Sequence, residues 1–272
     1  MIPRAYITAW RNTVPWAEDA QVEQDLILSR ALTELFANKH IGNSLILRGG
    51  TAFQKLLIKP AVRYSEDIDL VQKRAEPIGE TIDQMRSTLD SWLGTPKRKA
   101  TKNGVTLVYH FTSEIPPIQS LKLKIEMNTR EHFCVLPISK LPFEVINPWH
   151  SSSANISVYD MNELMGTKLR ALYQRKKGRD LFDLAIALER NLIQPKSVIE
   201  CFQKYMIHEG NNVSRAEFES NLHDKLRDPN FLSDIKPLIS PSIQFDPDRY
   251  ASAVKNELLS LLDGNPWKCV RD

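Results

Sequence analysis

Cysteine is scarce in this sequence: its 272 residues include three, Cys134, Cys201 and Cys269. The number is odd and the spacing matches no set of metal ligands. Both facts argue against a disulfide-stabilised scaffold and against a cysteine-based zinc site. We therefore expect reduced thiols in a reducing compartment.

Long apolar runs are also absent. No stretch approaches the length of a membrane span, and the N-terminal residues lack the basic-then-apolar pattern of a signal peptide. We expect no membrane association and a cytoplasmic location.

Histidine motifs that carry chemistry are missing as well. The six histidines form no His-x-Glu or His-Glu-x-x-His cluster, so nucleophilic catalysis by a Cys/His or Ser/His arrangement has no support. The net charge of +3 neither requires nor opposes a nucleic-acid partner. The length predicts one large or two modest domains, and 42% hydrophobic content is ordinary for a globular protein.

Two adjacent glycines mark the first informative stretch. Residues 45–48 read as a short buried strand, Gly49 and Gly50 as a turn, and residues 52–58 as a helix that opens at Thr51. Glycines let a backbone approach a ligand closely, and the N–H groups at a helix start favour a phosphate. The pattern predicts a phosphate-binding turn. Alone it would equally suit an ordinary turn.

Two aspartates follow in a predicted strand. Asp67 and Asp69 are two residues apart, so both carboxylates leave the same face, while Ile68 and Leu70 pack on the other. Paired carboxylates repel each other unless a divalent cation binds, and Mg²⁺ prefers such a site together with phosphate oxygens. The sequence therefore predicts nucleotidyl transfer, against the plainer alternative of a solvated strand end.

Glu126 is a candidate third metal ligand. Residues 121–128 alternate almost strictly between apolar and polar, which predicts a strand with one buried face and Glu126 on the other. It could complete the metal site or activate the attacking hydroxyl. It could equally be a surface residue paired with Lys122 or Lys124.

Residues 97–102 carry four cations, Lys97, Arg98, Lys99 and Lys102. One interpretation is a solvated hairpin loop. The other is a patch that binds a polyanion such as RNA.

A second constellation begins at Asp160, a predicted helix N-cap. On one ideal helix Arg175 and Arg179 would each lie about 20° from Lys168, with Asp183 about 60° from it. Such a cationic face would suit a triphosphate. Gly178 breaks or kinks the helix, and the alternative is a solvated face with internal ion pairs.

These two constellations resemble the AbiEii-type (MenT-like) nucleotidyltransferase toxins, a branch of the DNA polymerase β-like superfamily. The similarity rests on Gly-Gly-Thr followed by Arg-x-Ser-x-Asp-Ile-Asp-Leu, and on the pattern from Lys168 to Asp183; it covers about residues 40–190. Fifteen residues separate Thr51 from Asp67, more than in most of the wider superfamily.

The resemblance implies roles for individual residues. Asp67 and Asp69 would bind Mg²⁺, with Glu126 as a third ligand, and Lys168 and Asp183 would join them as catalytic residues. The nucleotide would be bound by Gly49, Gly50, Thr51, Ser65, Lys168, Arg175 and Arg179.

The implied enzyme moves a nucleoside monophosphate from an NTP to a hydroxyl, and the resemblance favours the 3′ end of tRNA as that hydroxyl. It would be the toxin of a toxin–antitoxin or phage-defence (abortive infection) pair, with its antitoxin encoded beside it. A small-molecule or protein hydroxyl as acceptor, and a non-catalytic nucleotide- or RNA-binding module, are the alternatives.

The predicted fold class is α/β (α+β). We expect a mixed nucleotidyltransferase sheet with flanking helices over residues 1–155, followed by a helical domain over residues 156–272. Residues 1–18, with Trp10 and Trp16 among prolines, look like an arm.

Overall fold

The computed structural model describes residues 2–240 and 242–268, so the prediction for Cys269 lies outside the described residues. The chain forms two compact units, Met1–Tyr159 and Asp160–Asp272. The predicted boundary at residue 155 falls inside a strand that runs from His150 to Val158. Within the described residues, no helix is long and apolar enough to cross a membrane.

The first unit is built on a seven-stranded mixed sheet in the order β3-β4-β5-β2-β1-β7-β6. β2 pairs with β5 and β1 with β7 in parallel, and the other pairs are antiparallel. This architecture confirms the predicted fold class. The strands are β1 Leu45–Arg48, β2 Asp67–Gln72, β3 Lys97–Thr101, β4 Gly104–Thr112, β5 Ser120–Asn128, β6 Ser139–Asn147 and β7 His150–Val158.

One face of this sheet carries the hydrophobic core. The alternation expected for β5 is present, because Leu123, Ile125 and Met127 are buried and their neighbours are more exposed. Helices pack against the sheet, and the Tyr109 hydroxyl of β4 donates to Asp90 of α5 at 2.9 Å. The helices are α1 Arg4–Arg11, α2 Asp19–Ala37, α3 Lys39–Ser44, α4 Gly49–Ala52, which continues as a π-helical turn Phe53–Leu57, and α5 Gly79–Leu93.

The N-terminal residues are docked, not extended as an arm. The indole N–H groups of Trp10 and Trp16 donate to the two carboxylate oxygens of Asp25 at 2.8 and 2.9 Å. Asp25 is buried, and the same oxygens lie 2.6 Å from Lys55 Nζ in the π-helical turn. This network ties the start of the chain and α2 to the segment that follows the glycine turn.

In the second unit every regular element among the described residues is a helix. Gly166 sits where two of these helices cross, because a Cβ there would lie 2.6 Å from the Cβ of Cys201. The elements are α6 Met161–Gln174, α7 Gly178–Glu189, α8 Pro195–His208, α9 Arg215–Leu226, α10 Pro229–Ser233, α11 Pro247–Glu257 and a 3₁₀ turn Leu259–Leu261.

Candidate active site

Strand register brings the predicted carboxylates together. Asp69 lies opposite Arg48 of β1 on one side and opposite Glu126 of β5 on the other. Asp67 lies opposite Lys124. Residues directly opposite each other share a sheet face, so all of these side chains leave the face that does not carry Ile68 and Ile125.

The electrostatics of this face are those of crowded acids. Partial burial, and next the neighbouring Asp69, raise the pKa of Asp67 to about 6, although Lys124 acts in the opposite direction. Burial alone would lower the pKa of Lys124, yet that pKa is raised because Glu126 accepts a hydrogen bond from it and Asp67 lies nearby. The cations around Asp67 therefore compensate its negative charge only in part.

The position of Glu126 is consistent with both of the roles considered for it, a surface ion pair and a third carboxylate of the site. Its carboxylate is 2.8 Å from Lys124 Nζ, as the ion-pair interpretation predicts. Its Cα is also the cross-strand partner of Asp69, the position that a third carboxylate would need. Its role as a metal ligand stays a prediction.

The glycine turn is shaped by protein side chains. Gly49 has φ of +77°, and a Cβ there would lie 2.1 Å from Asp69 Oδ2. A Cβ on Gly50 would lie 2.6 Å from Nη2 of the buried Arg63 and 2.9 Å from Ser65 Oγ. The close approach predicted here is thus to Asp69 and Arg63, which fixes the turn against β2.

Thr51 and Ser65 join the turn to the start of β2. Thr51 is fully buried, and its hydroxyl lies 2.9 Å from the Ser65 hydroxyl and donates to the main-chain carbonyl of Asp67. Its side chain is thus used inside the protein, so a phosphate at this turn would meet main-chain N–H groups and not the Thr51 hydroxyl.

The donor set fits a magnesium ion that is bound together with a nucleotide. Among the described residues, no group of three or more His, Cys, Asp or Glu side chains is arranged to hold a metal ion. Mg²⁺ usually binds through one or two carboxylates, with substrate phosphates and water as its other ligands. Asp67 and Asp69 would supply those carboxylates. A bound cation would offset the burial and the repulsion from Asp69 that raise the pKa of Asp67.

Lys168 lies in a buried ion cluster of the second unit. Its Nζ is 2.6 Å from Asp183 Oδ2 and 3.6 Å from Asp180 Oδ1, and both carboxylates are completely buried. α6 and α7 therefore bring Lys168 and Asp183 together, as the family pattern implies. The acids hold the lysine in one orientation.

The helix break predicted at Gly178 is present, because α6 ends at Gln174 and α7 begins at Gly178. Arg175 has extended backbone angles, so it does not share one helix face with Lys168. Arg175 makes two hydrogen bonds to Asp180, at 2.8 and 3.0 Å. Arg179 is held by Asp234, with two bonds of 2.9 Å. Burial alone would raise the pKa of Asp234, but hydrogen bonds from Arg179 lower it to about 2.

The comparison with protein families gives a match over most of the chain. Residues 30–256 match the family described as nucleotidyl transferase AbiEii toxin, type IV toxin–antitoxin system. The chain belongs to the AbiEii family. It is thus a nucleotidyltransferase toxin of a type IV toxin–antitoxin system, a class that implies an NTP substrate and an antitoxin partner. A search of curated proteins gave no match.

Solved structures share the AbiEii fold of this chain. MenT4, a nucleotidyltransferase toxin from Mycobacterium tuberculosis H37Rv, is 17% identical with a TM-score of 0.65, covering 97% of this chain and 91% of that one. A putative nucleotidyltransferase from H. pylori is 20% identical with a TM-score of 0.50, covering 90% of this chain and 95% of that one. At these identities the likeness concerns the fold.

Three residues of this AbiEii chain escaped the sequence analysis as site candidates. Arg48 pairs with Glu131 and flanks Asp69, and alternation along β1 from Ile46 could have placed it on that face. Asp180 binds Arg175 and faces Lys168. For Glu131, in a segment without regular structure, no local pattern gives a signal.

The raised pKa of Asp67 predicts a pH-dependent cost to stability. Between the ordinary Asp value of 3.8 and about 6, the folded chain binds more protons at this site than the unfolded chain. Stability from this group therefore falls as pH rises through that window. Without divalent cations, Asp67→Asn should melt higher than the parent at pH 8, and the difference should shrink towards pH 4.

Thermal unfolding followed by circular dichroism at both pH values measures this effect. Asp83→Asn, at an exposed carboxylate of α5, is the matched control and should change the melting temperature little at either pH. A variant at position 67 that melts lower than the parent at pH 8 would contradict the electrostatic description.

Proposed function

We propose that this AbiEii toxin transfers a nucleoside monophosphate from an NTP to a hydroxyl, with Mg²⁺ held by Asp67 and Asp69. The observation that carries the proposal is the pair of crowded carboxylates, with the pKa of Asp67 raised to about 6, packed against a glycine turn. The acceptor oxygen bonds to the α-phosphorus, the α–β phosphoanhydride bond breaks and pyrophosphate leaves. Mg²⁺ supplies charge neutralisation at the phosphates.

The other roles fall to main-chain groups of the turn and to Ser65 and Glu126. Main-chain N–H groups of the turn at Gly49, Gly50 and Thr51 bind phosphate oxygens, and Ser65 holds Thr51 in place. Glu126 accepts the proton of the acceptor hydroxyl or ligates the metal. Its ion pair with Lys124 holds the carboxylate on the same face as Asp69 for either role.

Lys168 neutralises triphosphate charge and Asp183 orients it, supported by the 2.6 Å contact between them. Arg175 is half exposed and its guanidinium pairs with Asp180. Arg179 would have to give up two hydrogen bonds to Asp234 to reach a phosphate. This contrast favours Arg175 over Arg179 as the nucleotide-binding arginine.

For the acceptor we propose the 3′ hydroxyl of tRNA. Register across β3, β4, β5 and β2 aligns Lys99, Thr106, Glu126 and Asp69, so Lys97 and Lys99 share the carboxylate face, while Arg98 points to the other. Three strand spacings put Lys99 about 14 Å from Asp69. Lys97, Lys99, His110 and Lys122 are all exposed on this face. A polyanion is the partner that such a surface fits.

The metal assignment predicts a specific loss. Asp67→Asn and Asp69→Asn should each abolish nucleotide transfer without lowering the melting temperature, because they remove cation ligands and no packing. Purified protein is incubated with Mg²⁺, total RNA and each labelled NTP in turn. Asp83→Asn serves as the control. Full incorporation by either site variant would refute the assignment.

Loss of Lys168 should also be severe. Lys168→Ala should lower transfer by about two to three orders of magnitude, the scale for removing a preorganised charge at a reacting phosphate. Lys168→Arg should recover little, because a planar fork and a point charge differ in reach. Lys176→Ala, in the nearby segment between α6 and α7, is the control.

Removing Lys168 leaves two buried acids with less compensation, so the fold of each variant is checked by denaturant unfolding. Near-parental activity in a folded Lys168→Ala protein would reduce the cluster to a structural role.

Arg98 provides the control for the acceptor prediction, because it points to the opposite sheet face from Lys99. Lys99→Glu should weaken tRNA labelling and reduce the salt dependence of tRNA binding by about one phosphate contact, whereas Arg98→Glu, the same charge change on the other face, should do less. The KM for NTP should not change in either. The expected product is a tRNA lengthened at its 3′ end, and none from periodate-treated tRNA. Label on protein or on a small molecule would favour the alternative acceptors.

A further inference from the structure

A pocket of about 150 Å³ lies beside the carboxylate site in the first unit. Its floor is formed by Ile46 of β1 and Val71 of β2, which are cross-strand partners. Its wall is the segment 131–138, which follows β5. Besides Gln72, Lys73 and Glu131, the lining consists of Ile46, Val71, His132, Phe133, Cys134 and Ile138.

The pocket, the carboxylates and the glycine turn follow one another along the same face of the sheet. Ile46 and Val71 are each two residues along their strands from Arg48 and Asp69, so they share the carboxylate face at a distance of about 7 Å. The order along this face is the glycine turn, the row of Arg48 and Asp69, and then the pocket. An NTP has the same order: outer phosphates, α-phosphate, and base beyond the ribose.

The lining suits a flat ring. Apolar side chains form the floor and much of the wall, and a cavity of about 150 Å³ is large enough for an aromatic ring. His132 adds a polar group at the wall and is itself held by the main-chain carbonyl of Gln72 at 3.2 Å. Glu131 ties the same segment to Arg48, beside Asp69. Apolar walls with a few fixed polar groups are typical of small-molecule sites.

We propose that this pocket binds the base of the donor nucleotide. The inference rests on the proposed function, because the carboxylate site must hold the phosphates of that nucleotide. The segment 131–138 would then take part in selecting the NTP.

Cys134 offers a direct test, because it lines the pocket and is partly exposed, whereas Cys201 is buried. The full-length protein is treated with iodoacetamide, and alkylation of Cys134 is followed by peptide mass spectrometry. ATP, GTP, CTP and UTP are added one at a time, without RNA. The base-bearing NTP that binds should slow alkylation about tenfold at about ten times its dissociation constant. Inorganic tripolyphosphate should give no protection.

A pocket-filling variant provides the second measurement. Cys134→Trp should weaken binding of the protecting NTP by about tenfold or more and leave tripolyphosphate binding within about twofold. Ile146→Trp places the same bulk on β6 at an exposed hydrophobic residue and should change neither.

The outcomes separate this inference from the proposed function. If no NTP slows alkylation, or tripolyphosphate slows it equally, the pocket is not the base site, even where labelled RNA shows that transfer occurs. If an NTP protects Cys134 but no acceptor is ever labelled, the pocket assignment stands and the proposed transfer reaction fails.

Discussion

The carboxylate of Asp69 occupies the space that a side chain at position 49 would need, and this contact sets how closely the glycine turn can approach β2. A Cβ on Gly49 would lie 2.1 Å from Asp69 Oδ2, and its φ of +77° also favours glycine. The turn and β2 can therefore approach only with this pair of residues. Gly50 repeats the arrangement against Arg63 and Ser65. The two halves of the motif, far apart in sequence, are thus one packing unit.

The packing of the glycine turn against β2 explains how two neighbouring acids are held in fixed positions. Asp67 and Asp69 sit on a central strand with β1 and β5 on either side, so they cannot separate to relieve their repulsion. The main chain of Asp67 is held further by the Thr51 hydroxyl. A flexible strand end would let the acids move apart and would lose the preorganised carboxylate pair that we propose as the metal site.

Local patterns predicted much of this arrangement, and the limit was reached where partners are distant in sequence. Alternation along one strand places Asp67 and Asp69 on one face, and along another it places Glu126 among polar residues. Only the sheet order, with β5 beside β2, makes Glu126 the neighbour of Asp69. The docking of Trp10 and Trp16 on Asp25 was missed for the same reason: the arm is recognised only once its buried acceptor is known.

The second unit shows the same limit with helices. The angles between side chains calculated for one ideal helix do not apply once the helix is interrupted, and α6 ends before Arg175. The partner of Arg179 is Asp234, 55 residues further along the chain, which no local spacing could indicate. Ion pairs of the kind that the alternative interpretation expected are present, but Asp180 and Asp183 are buried and not on a solvated face.

The composition of the cluster around Lys168 also bears on its purpose. A buried ion pair is weak evidence for stability, since apolar residues of similar volume often do as well. Here Lys168 contacts two buried acids, Asp180 and Asp183, and Arg175 also pairs with Asp180. Lys225 donates to the main-chain carbonyls of Leu172 and Tyr173, near Asp180. Burial lowers the pKa of Lys225 to about 8, so it is still mostly protonated at neutral pH. The cluster therefore fixes the position of Lys168 between α6 and α7, which apolar residues of similar volume would not do.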